Sequence, residues 1–263
     1  MLFNPLNILQ GRFLPHTHTC TPRDGIRSSA YKALAAILIA AAGCCTASAG
    51  EFAGSVSLLS NYKQGGSDTN FFKDKYITPT LQGNLFYKFD NGWYVGHWGS
   101  TIKTFENNRF EGLGYVGYKG KLGPGLVDVS VGYDYFPGAS QGNSAFLFVF
   151  YQVGVVTFKS VTTLSNTYYG FSDARGRQVV ALETKKPITD RLILKGEIGR
   201  VFVTDGMKAQ RVKDKSYYAI GGEYLLDDGF SITAFYSGAD TVPGPNFGYR
   251  NKARLIFGVK KQF

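Results

Sequence analysis

His97 is the residue best suited to acid–base catalysis, because it is the only histidine after residue 49. Ser100, three residues further on, would project from the opposite face of a β-strand, and Gly99 on the His97 face has no side chain. A serine from another strand could still approach His97, so that alternative stays open. We predict no enzyme activity and name no catalytic residue.

Thiol and metal chemistry find no support either. All three cysteines fall before residue 50, at Cys20, Cys44 and Cys45, and no metal-ligand spacing is visible after them. The sequence therefore predicts neither a metal nor another cofactor.

Charged residues that alternate with apolar ones offer electrostatic chemistry instead, because alternation places them on one face of a strand. Ten are candidates for lining a pore: Lys88, Lys119, Asp128, Asp134, Lys159, Glu183, Lys195, Glu197, Glu223 and Arg254. With Lys260 they give six positive and five negative charges, so strong ion selectivity is not expected. A lumen closed by cross-strand ion pairs is the alternative. Bulky inward candidates would narrow any pore further: Phe86, Tyr115, Tyr151, Tyr217 and Phe235.

Polar–apolar alternation also identifies the elements that must position these residues. It is clearest over 127–135, where valine and tyrosine alternate with aspartate, serine and glycine. We predict twelve strands, at about 52–62, 78–89, 93–102, 110–119, 127–135, 144–151, 155–165, 178–185, 192–203, 216–225, 230–236 and 252–263.

The gaps between these strands alternate between longer and shorter connections. The odd-numbered gaps hold 7 to 15 residues and the even-numbered gaps 3 to 7, including the turn sequence Asp90-Asn91-Gly92. Outer-membrane barrels have short periplasmic turns, longer outer loops and an even number of strands. The sequence thus predicts an all-β fold, a transmembrane antiparallel up-and-down β-barrel of about twelve strands over 50–263.

Aromatic residues collect at both ends of the predicted strands, as in the interface girdles of membrane barrels. The turn side has Phe89, Trp93, Tyr94, Tyr118, Tyr224, Phe230 and Phe263, and the loop side has Tyr62, Phe110, Tyr135, Phe202 and Tyr236. Lys261 falls on the lipid-facing side of the last strand, where we expect its ammonium to reach toward the interface.

Residues 1–49 differ from the barrel region. Basic residues from Arg23 to Lys32 precede an apolar stretch of ten residues, and Ala47-Ser48-Ala49 offers a cleavage site. Ten apolar residues are too few for a membrane span, which needs about 20. We predict an N-terminal extension and a cleavable signal peptide over 1–49, with cleavage near Ala49. Lipoprotein processing at Cys44 is the alternative.

Several segments carry a resemblance to a known family. They are Val56-Ser57-Leu58-Leu59-Ser60-Asn61-Tyr62, Asn91-Gly92-Trp93-Tyr94-Val95-Gly96-His97-Trp98-Gly99-Ser100, Val131-Gly132-Tyr133-Asp134-Tyr135-Phe136-Pro137-Gly138 and Ser216-Tyr217-Tyr218. They resemble the TorF-type porin family of Gram-negative outer membranes. The chain departs from that family at Lys63-Gln64-Gly65-Gly66-Ser67, where the family has an aromatic-Arg-Gly-Ile-Ser segment. The resemblance implies an outer-membrane barrel but no particular substrate.

Taken together, these features predict a porin that lets small hydrophilic solutes diffuse through a narrow polar lumen. A closed structural or surface-interaction barrel is the alternative. The net charge of +7 over 50–263 lies mostly in the loops, with a dense cluster at Lys208, Arg211, Lys213 and Lys215. We expect this cluster to contact lipopolysaccharide phosphates rather than nucleic acid, which an exported barrel does not routinely meet. The oligomeric state stays open.

Overall fold

The computed structural model describes residues 50–65, 67–68, 79–102, 108–240 and 252–263. The predicted signal peptide, the cleavage near Ala49 and the alternative processing at Cys44 lie outside the described residues. Within the described ranges, no helix has the length and apolar character needed to cross a membrane.

The alternating segments form β-strands that close into a barrel. The strands are β1 Gly50–Leu59, β2 Lys63–Gln64, β3 Ser67–Asp68, β4 Thr80–Phe89, β5 Trp93–Thr101, β6 Phe110–Leu122, β7 Gly125–Tyr135, β8 Ser144–Val153, β9 Val156–Thr163, β10 Gln178–Pro187, β11 Leu192–Phe202, β12 Lys215–Leu225, β13 Phe230–Ala239 and β14 Arg254–Gln262. Strands β2 and β3 form a small separate hairpin, and the other twelve pair with their sequence neighbours, with β1 also joining β14. The predicted twelve-stranded antiparallel barrel is confirmed.

The connections sort by length onto the two ends of the barrel. At the turn end, two to four residues join the strands, at 90–92, 123–124, 154–155, 188–191 and 226–229. At the loop end, the connections that the structure describes throughout hold eight to fourteen residues, at 136–143, 164–177 and 203–214. The predicted seven-residue gap at 120–126 is only a two-residue turn, because β6 and β7 extend toward each other. Gly123 makes this turn with φ +55°, a left-handed conformation that glycine tolerates.

The outer surface of the barrel is apolar around its circumference. Ile198, Ile220 and Phe257 expose 63%, 65% and 54% of their surface, and similar residues occupy alternate positions on the other barrel strands. An exposed apolar band of this kind is the lipid-facing surface of a transmembrane barrel.

Most of the predicted aromatic girdle lies on this outer surface, but two members do not. Tyr94 and Tyr62 are only 2% and 6% exposed and lie inside the barrel. Tyr94 lies on the inner face of β5, where its hydroxyl donates a hydrogen bond to the buried carboxylate of Asp128. Tyr62 precedes the small hairpin at the barrel mouth. Lys261 behaves as expected, since its ammonium bonds the Asp228 carbonyl and lies 4.5 Å from the centre of the Phe230 ring.

The seam that closes the barrel is the shortest strand pairing in it. Strand β1 pairs five residues with β14, over Ser55–Leu59, whereas it pairs ten with β4. Gly54 and Phe263 lengthen the seam by two backbone hydrogen bonds, of 2.9 and 3.1 Å.

Candidate functional site: the barrel interior

The inward side chains form two layers of different chemistry. Near the turn end lies a charged layer, formed by Lys119, Asp128, Lys159, Glu183, Lys185, Lys195, Glu197, Glu223 and Lys260. Toward the loop end lies a chamber, lined by Tyr62, Gln64, Trp98, Glu111, Leu113, Asp134, Phe146, Phe148, Val161, Tyr168, Arg177, Val179, Val201 and Lys215.

Lys159 is the centre of the charged layer. It is fully buried, and its ammonium bonds Glu183 of β10 and lies 2.9 Å from the Glu197 carboxylate of β11. Lys185 approaches the other oxygen of Glu183 at 2.7 Å. A buried charge is tolerated only when it is paired, because desolvation costs several kcal/mol per ion. The three strands therefore meet inside the barrel through a closed network of opposite charges.

A second network surrounds Glu223 of β12. One carboxylate oxygen bonds Lys195 of β11, and the other lies 2.7 Å from the ammonium of Lys260 on β14. Ser231 of β13 also donates a hydrogen bond of 2.7 Å to this carboxylate. Glu223 thus links four consecutive strands across the lumen wall.

Asp128 of β7 anchors the opposite side of the charged layer. The Tyr94 hydroxyl donates a hydrogen bond of 2.5 Å to it, and Lys119 stands directly across from it in the register of β6 and β7. Beside them Tyr115 donates a hydrogen bond of 2.7 Å to the amide oxygen of Asn84. Phenol rings and ion pairs together narrow this end of the lumen.

The chamber at the loop end is mostly apolar and encloses a cavity of about 50 Å³. Its walls are Trp98, Leu113, Phe146, Phe148, Val161, Val179 and Val201, all 7% exposed or less. Two carboxyl groups, those of Glu111 and Asp134, project into this apolar setting and are 1% and 4% exposed. They interact with each other, and the Tyr169 hydroxyl donates a hydrogen bond to Glu111.

Two loops cover the chamber. The 164–177 loop brings Tyr168 and Tyr169 against Phe146 and Phe136, with Tyr169 at φ +50°. Burial, and then the neighbouring Glu111 and Asp134 carboxylates, raise the pKa of Tyr169 well above its usual value, so its hydroxyl stays protonated.

The second covering loop, 203–214, is joined to the first by hydrogen bonds. The Thr204 hydroxyl donates to the Asp173 carbonyl at 2.5 Å and accepts from Met207 at the start of a short helix, Asp205–Ala209. The Gln210 amide bonds the Ser172 backbone in both directions, at 3.0 and 3.2 Å. Met207 is fully buried beneath this contact.

All ten predicted pore-lining residues lie on the inner faces of their strands. The structure brings Lys159, Glu183 and Glu197 into one network and Lys195 and Glu223 into another, and it pairs Lys119 with Asp128. Asp134 stands apart from them in the chamber. Lys88 is half-buried near the turn end and Arg254 near the loop end. That the ten line an open path stays a prediction.

The bulky inward residues were partly misassigned. Phe86, Tyr115, Tyr217 and Phe235 are buried as predicted, but Tyr151 lies on the outer face and donates a hydrogen bond of 2.9 Å to the Leu122 carbonyl. In its place Phe146, Phe148 and Phe150 fill the interior. The run from Ala145 to Tyr151 is apolar at every position, so alternation does not reveal which face is inward. Glu111, the second residue of β6, was also missed, although it shares the strand face of Tyr115, which was predicted to point inward.

His97 lies on the outer face of β5, and Ser100 projects from the opposite face as the strand geometry predicts. The His97 Nε2 is 2.8 Å from the Tyr135 hydroxyl, whereas Ser100 is buried on the opposite face. In the described part of the chain, no group of three or more histidine, cysteine, aspartate or glutamate side chains is placed to hold a metal ion.

The predicted lipopolysaccharide-contact residues divide into two sets. Lys208, Arg211 and Lys213 are exposed at the loop end, with Lys208 3.3 Å from Asp205. Lys215 is half-buried, bonds the Ser67 hydroxyl and lines the chamber, because it begins β12 with its side chain directed inward. Lys215 is therefore not part of the exposed basic patch.

A closed barrel with an apolar exterior and a charged interior defines a transmembrane β-barrel. The chain belongs to a bacterial protein family of unknown function, Gcw_chp, whose profile matches residues 43–263. No curated protein matches the sequence.

Solved structures resemble it in fold. The KdgM porin, in complex with disordered oligogalacturonate, is 8% identical over 82% of this chain and 99% of that one, with a TM-score of 0.53. A membrane protein from a study of in-meso crystallization is 11% identical over 81% of this chain and 83% of that one, with a TM-score of 0.51.

Proposed function

We propose that this protein is a porin of the bacterial outer membrane through which small hydrophilic solutes diffuse. The arrangement of the two barrel faces carries the proposal: charged side chains point inward and apolar ones outward, which suits a polar lumen within lipid. The ion pairs among the inward charges also fit a closed lumen, and conductance distinguishes the two. The fold similarity to the KdgM porin supports the proposal. With the resemblance to TorF-type porins and the predicted signal peptide over 1–49, the proposal extends to a Gram-negative host and export to the outer membrane.

In this mechanism the two layers act as successive constrictions. A solute entering at the loop end passes the 164–177 loop and the chamber, then the ion pairs around Lys159 and Glu223. Because acidic and basic groups alternate around the charged layer, a neutral polar solute exchanges water for hydrogen bonds there without a large net field. We therefore expect small conductance and weak ion preference.

Planar-bilayer conductance tests this proposal. The full-length gene is expressed, and the barrel is purified from membranes in detergent. Heat-dependent gel mobility then confirms that the purified protein is folded. Single-channel steps are expected, and they should grow when Lys195, Glu223 and Lys260 are replaced together by alanine, because these side chains narrow the turn end. A matched variant, Asp205→Asn, alters an exposed loop carboxylate and should leave the steps unchanged. A folded barrel that stays silent in all three forms contradicts the proposal.

The hydrogen bonds between the 164–177 and 203–214 loops favour a second candidate, a closed barrel that acts through its surface. In that case the exposed residues Lys208, Arg211 and Lys213 would bind lipopolysaccharide phosphates. Silence in the bilayer together with retained lipopolysaccharide would support this candidate over the porin.

A further inference from the structure

The chamber contains two carboxyl groups that contact each other, and each has one oxygen that receives no donor from any other described residue. Glu111 Oε2 and Asp134 Oδ1 are buried and have no hydrogen-bond partner among the described residues. Both side chains line the cavity of about 50 Å³. Since buried polar atoms are almost always satisfied, either the two groups share a proton or a cation compensates both carboxylates.

Basic side chains near the cavity do not supply that partner. Arg177 places its guanidinium 4.0 Å from the centre of the Tyr168 ring, and Lys215 bonds Ser67. Across the described ranges, no lysine or arginine comes within 4.0 Å of either the Glu111 or the Asp134 carboxylate. This differs from the charged layer, where Glu183, Glu197 and Glu223 each contact an ammonium.

The remaining polar groups around the pair are also oxygen atoms. The Tyr169 hydroxyl bonds Glu111 and lies 3.2 Å from the side-chain oxygen of Gln64, which lines the same cavity. Carboxylate, amide and hydroxyl oxygens are the ligands preferred by hard divalent cations. A cavity needs about 10–15 Å³ to hold one water, and this cavity measures about 50 Å³. It therefore has room for an ion that keeps several waters.

We propose that Glu111 and Asp134 form a binding site for one hard divalent cation, Ca²⁺ or Mg²⁺, inside the loop-end chamber. The ion joins β6 to β7 and, through Tyr169 and Gln64, fixes the 164–177 loop and the β2–β3 hairpin over the barrel mouth. Its charge compensates two carboxylates that would otherwise repel each other in an apolar setting. The site does not depend on conduction, so it stands or falls separately from the proposed porin function.

Tryptophan fluorescence offers a local readout, because the chain has two tryptophans and Trp98 lines the chamber. In a Trp93→Phe background, Trp98 is the sole emitter. The protein, purified from membranes and stripped with EDTA, is titrated with CaCl₂ and with MgCl₂ at constant ionic strength. We expect a saturable change in Trp98 emission with at least one of the two salts.

Neutral isosteres assign that change to the site. Glu111→Gln and Asp134→Asn should each weaken the apparent affinity by at least the ~10–100-fold typical of losing a supporting group at a metal site. Asp205→Asn, an exposed carboxylate at the same end of the barrel, should bind as the parent does. Heat-dependent gel mobility checks that each variant is folded.

Terbium provides a second measurement that needs no isostere. Tb³⁺ bound in the chamber should show luminescence sensitised by Trp98, and excess CaCl₂ should remove it. The proposal is overturned if Trp98 emission does not respond to CaCl₂ or MgCl₂, or if Glu111→Gln and Asp134→Asn respond as the parent does. Glu111 and Asp134 would then be a carboxyl pair that shares a proton.

Discussion

The two layers of the barrel interior bury carboxylates in opposite ways. In the charged layer Glu183, Glu197 and Glu223 are 3–4% exposed and each contacts a lysine on another strand. In the chamber Glu111 and Asp134 are as deeply buried but contact each other and a tyrosine. Carboxylates therefore join strands through ion pairs in one layer and, in the other, meet each other with no described lysine or arginine within 4.0 Å.

This contrast separates structural charge from charge available to a ligand. Paired ions in a low-dielectric interior are satisfied within the fold, and removing one partner leaves the other uncompensated. Carboxylates without an ammonium partner can still bind a cation from solution. Substitutions in the two layers should consequently change the free energy of unfolding in opposite directions.

The largest effect is expected from Lys159→Met. This substitution leaves Glu183 and Glu197 facing each other without their shared ammonium, and breaking a buried pair in this way typically costs about 3–5 kcal/mol. Urea titration in detergent, followed by gel mobility, should show a lower unfolding midpoint. Adding Glu183→Gln and Glu197→Gln to the same protein should recover most of the loss. An unchanged midpoint for Lys159→Met would show that Lys159 does not hold the charged layer together.

Glu183→Gln should lower stability by a smaller amount. The amide keeps the shape but loses the charge that serves both Lys159 and Lys185, a loss of roughly 1–3 kcal/mol for hydrogen bonds to charged groups. The same urea titration measures it, with Asp205→Asn as the exposed control. Equal midpoints for Glu183→Gln and the control would contradict this role.

Glu111→Gln should have the opposite sign in EDTA. The amide can donate a hydrogen bond to Asp134 and removes one of two facing negative charges, which we expect to raise stability by about 1 kcal/mol. Saturating CaCl₂ or MgCl₂ should narrow or reverse this difference, because only the parent gains the ion. A Glu111→Gln variant less stable than the parent in EDTA would argue that the carboxylate pair is already satisfied.

The smallest effect on stability is expected on the loop-end surface. Replacing Lys208, Arg211 and Lys213 together by glutamine should change the unfolding free energy by no more than about 0.5 kcal/mol, since exposed ion pairs contribute little. Lipopolysaccharide retained through purification should fall, while conductance steps stay unchanged. Lys215→Gln is the matched control, because Lys215 points into the chamber, and it should retain lipopolysaccharide. Equal retention by the triple variant would count against the surface patch.

The number of strands, their order and which side chains point inward could largely be predicted from the sequence, because a strand with one apolar and one polar face shows alternating residue types. The inward face could not be predicted where this alternation is absent. Ala145–Tyr151 is apolar on both faces, so the inward set of Phe146, Phe148 and Phe150 could not be distinguished from the outward one. Tyr94 was assigned to the interface girdle because of its residue type, but adjacent strand residues face opposite ways, and Trp93 takes the outer position while Tyr94 is buried against Asp128 of β7.

Partners within the site were harder to predict than its members. The sequence places Lys159, Glu183 and Glu197 on inner faces, but their contact depends on the stagger between β9, β10 and β11. Tyr169 reaches Glu111 across 58 positions of the chain through a loop without regular structure. Pairings of this kind follow from the closed three-dimensional barrel, and no local pattern encodes them.

The short seam between β1 and β14 has a consequence for how the barrel assembles. Its partners are about 200 positions apart in the chain, so pairing them carries a larger loop-closure cost than any hairpin of the barrel, and we expect it to follow the formation of those hairpins. Because only five residues pair, the hydrogen bonds just beyond them matter: Gly54 with Phe263 at one end of the seam and Ser60 with Phe257 at the other. Deleting Phe263 should therefore slow membrane insertion far more than it lowers the stability of the folded barrel.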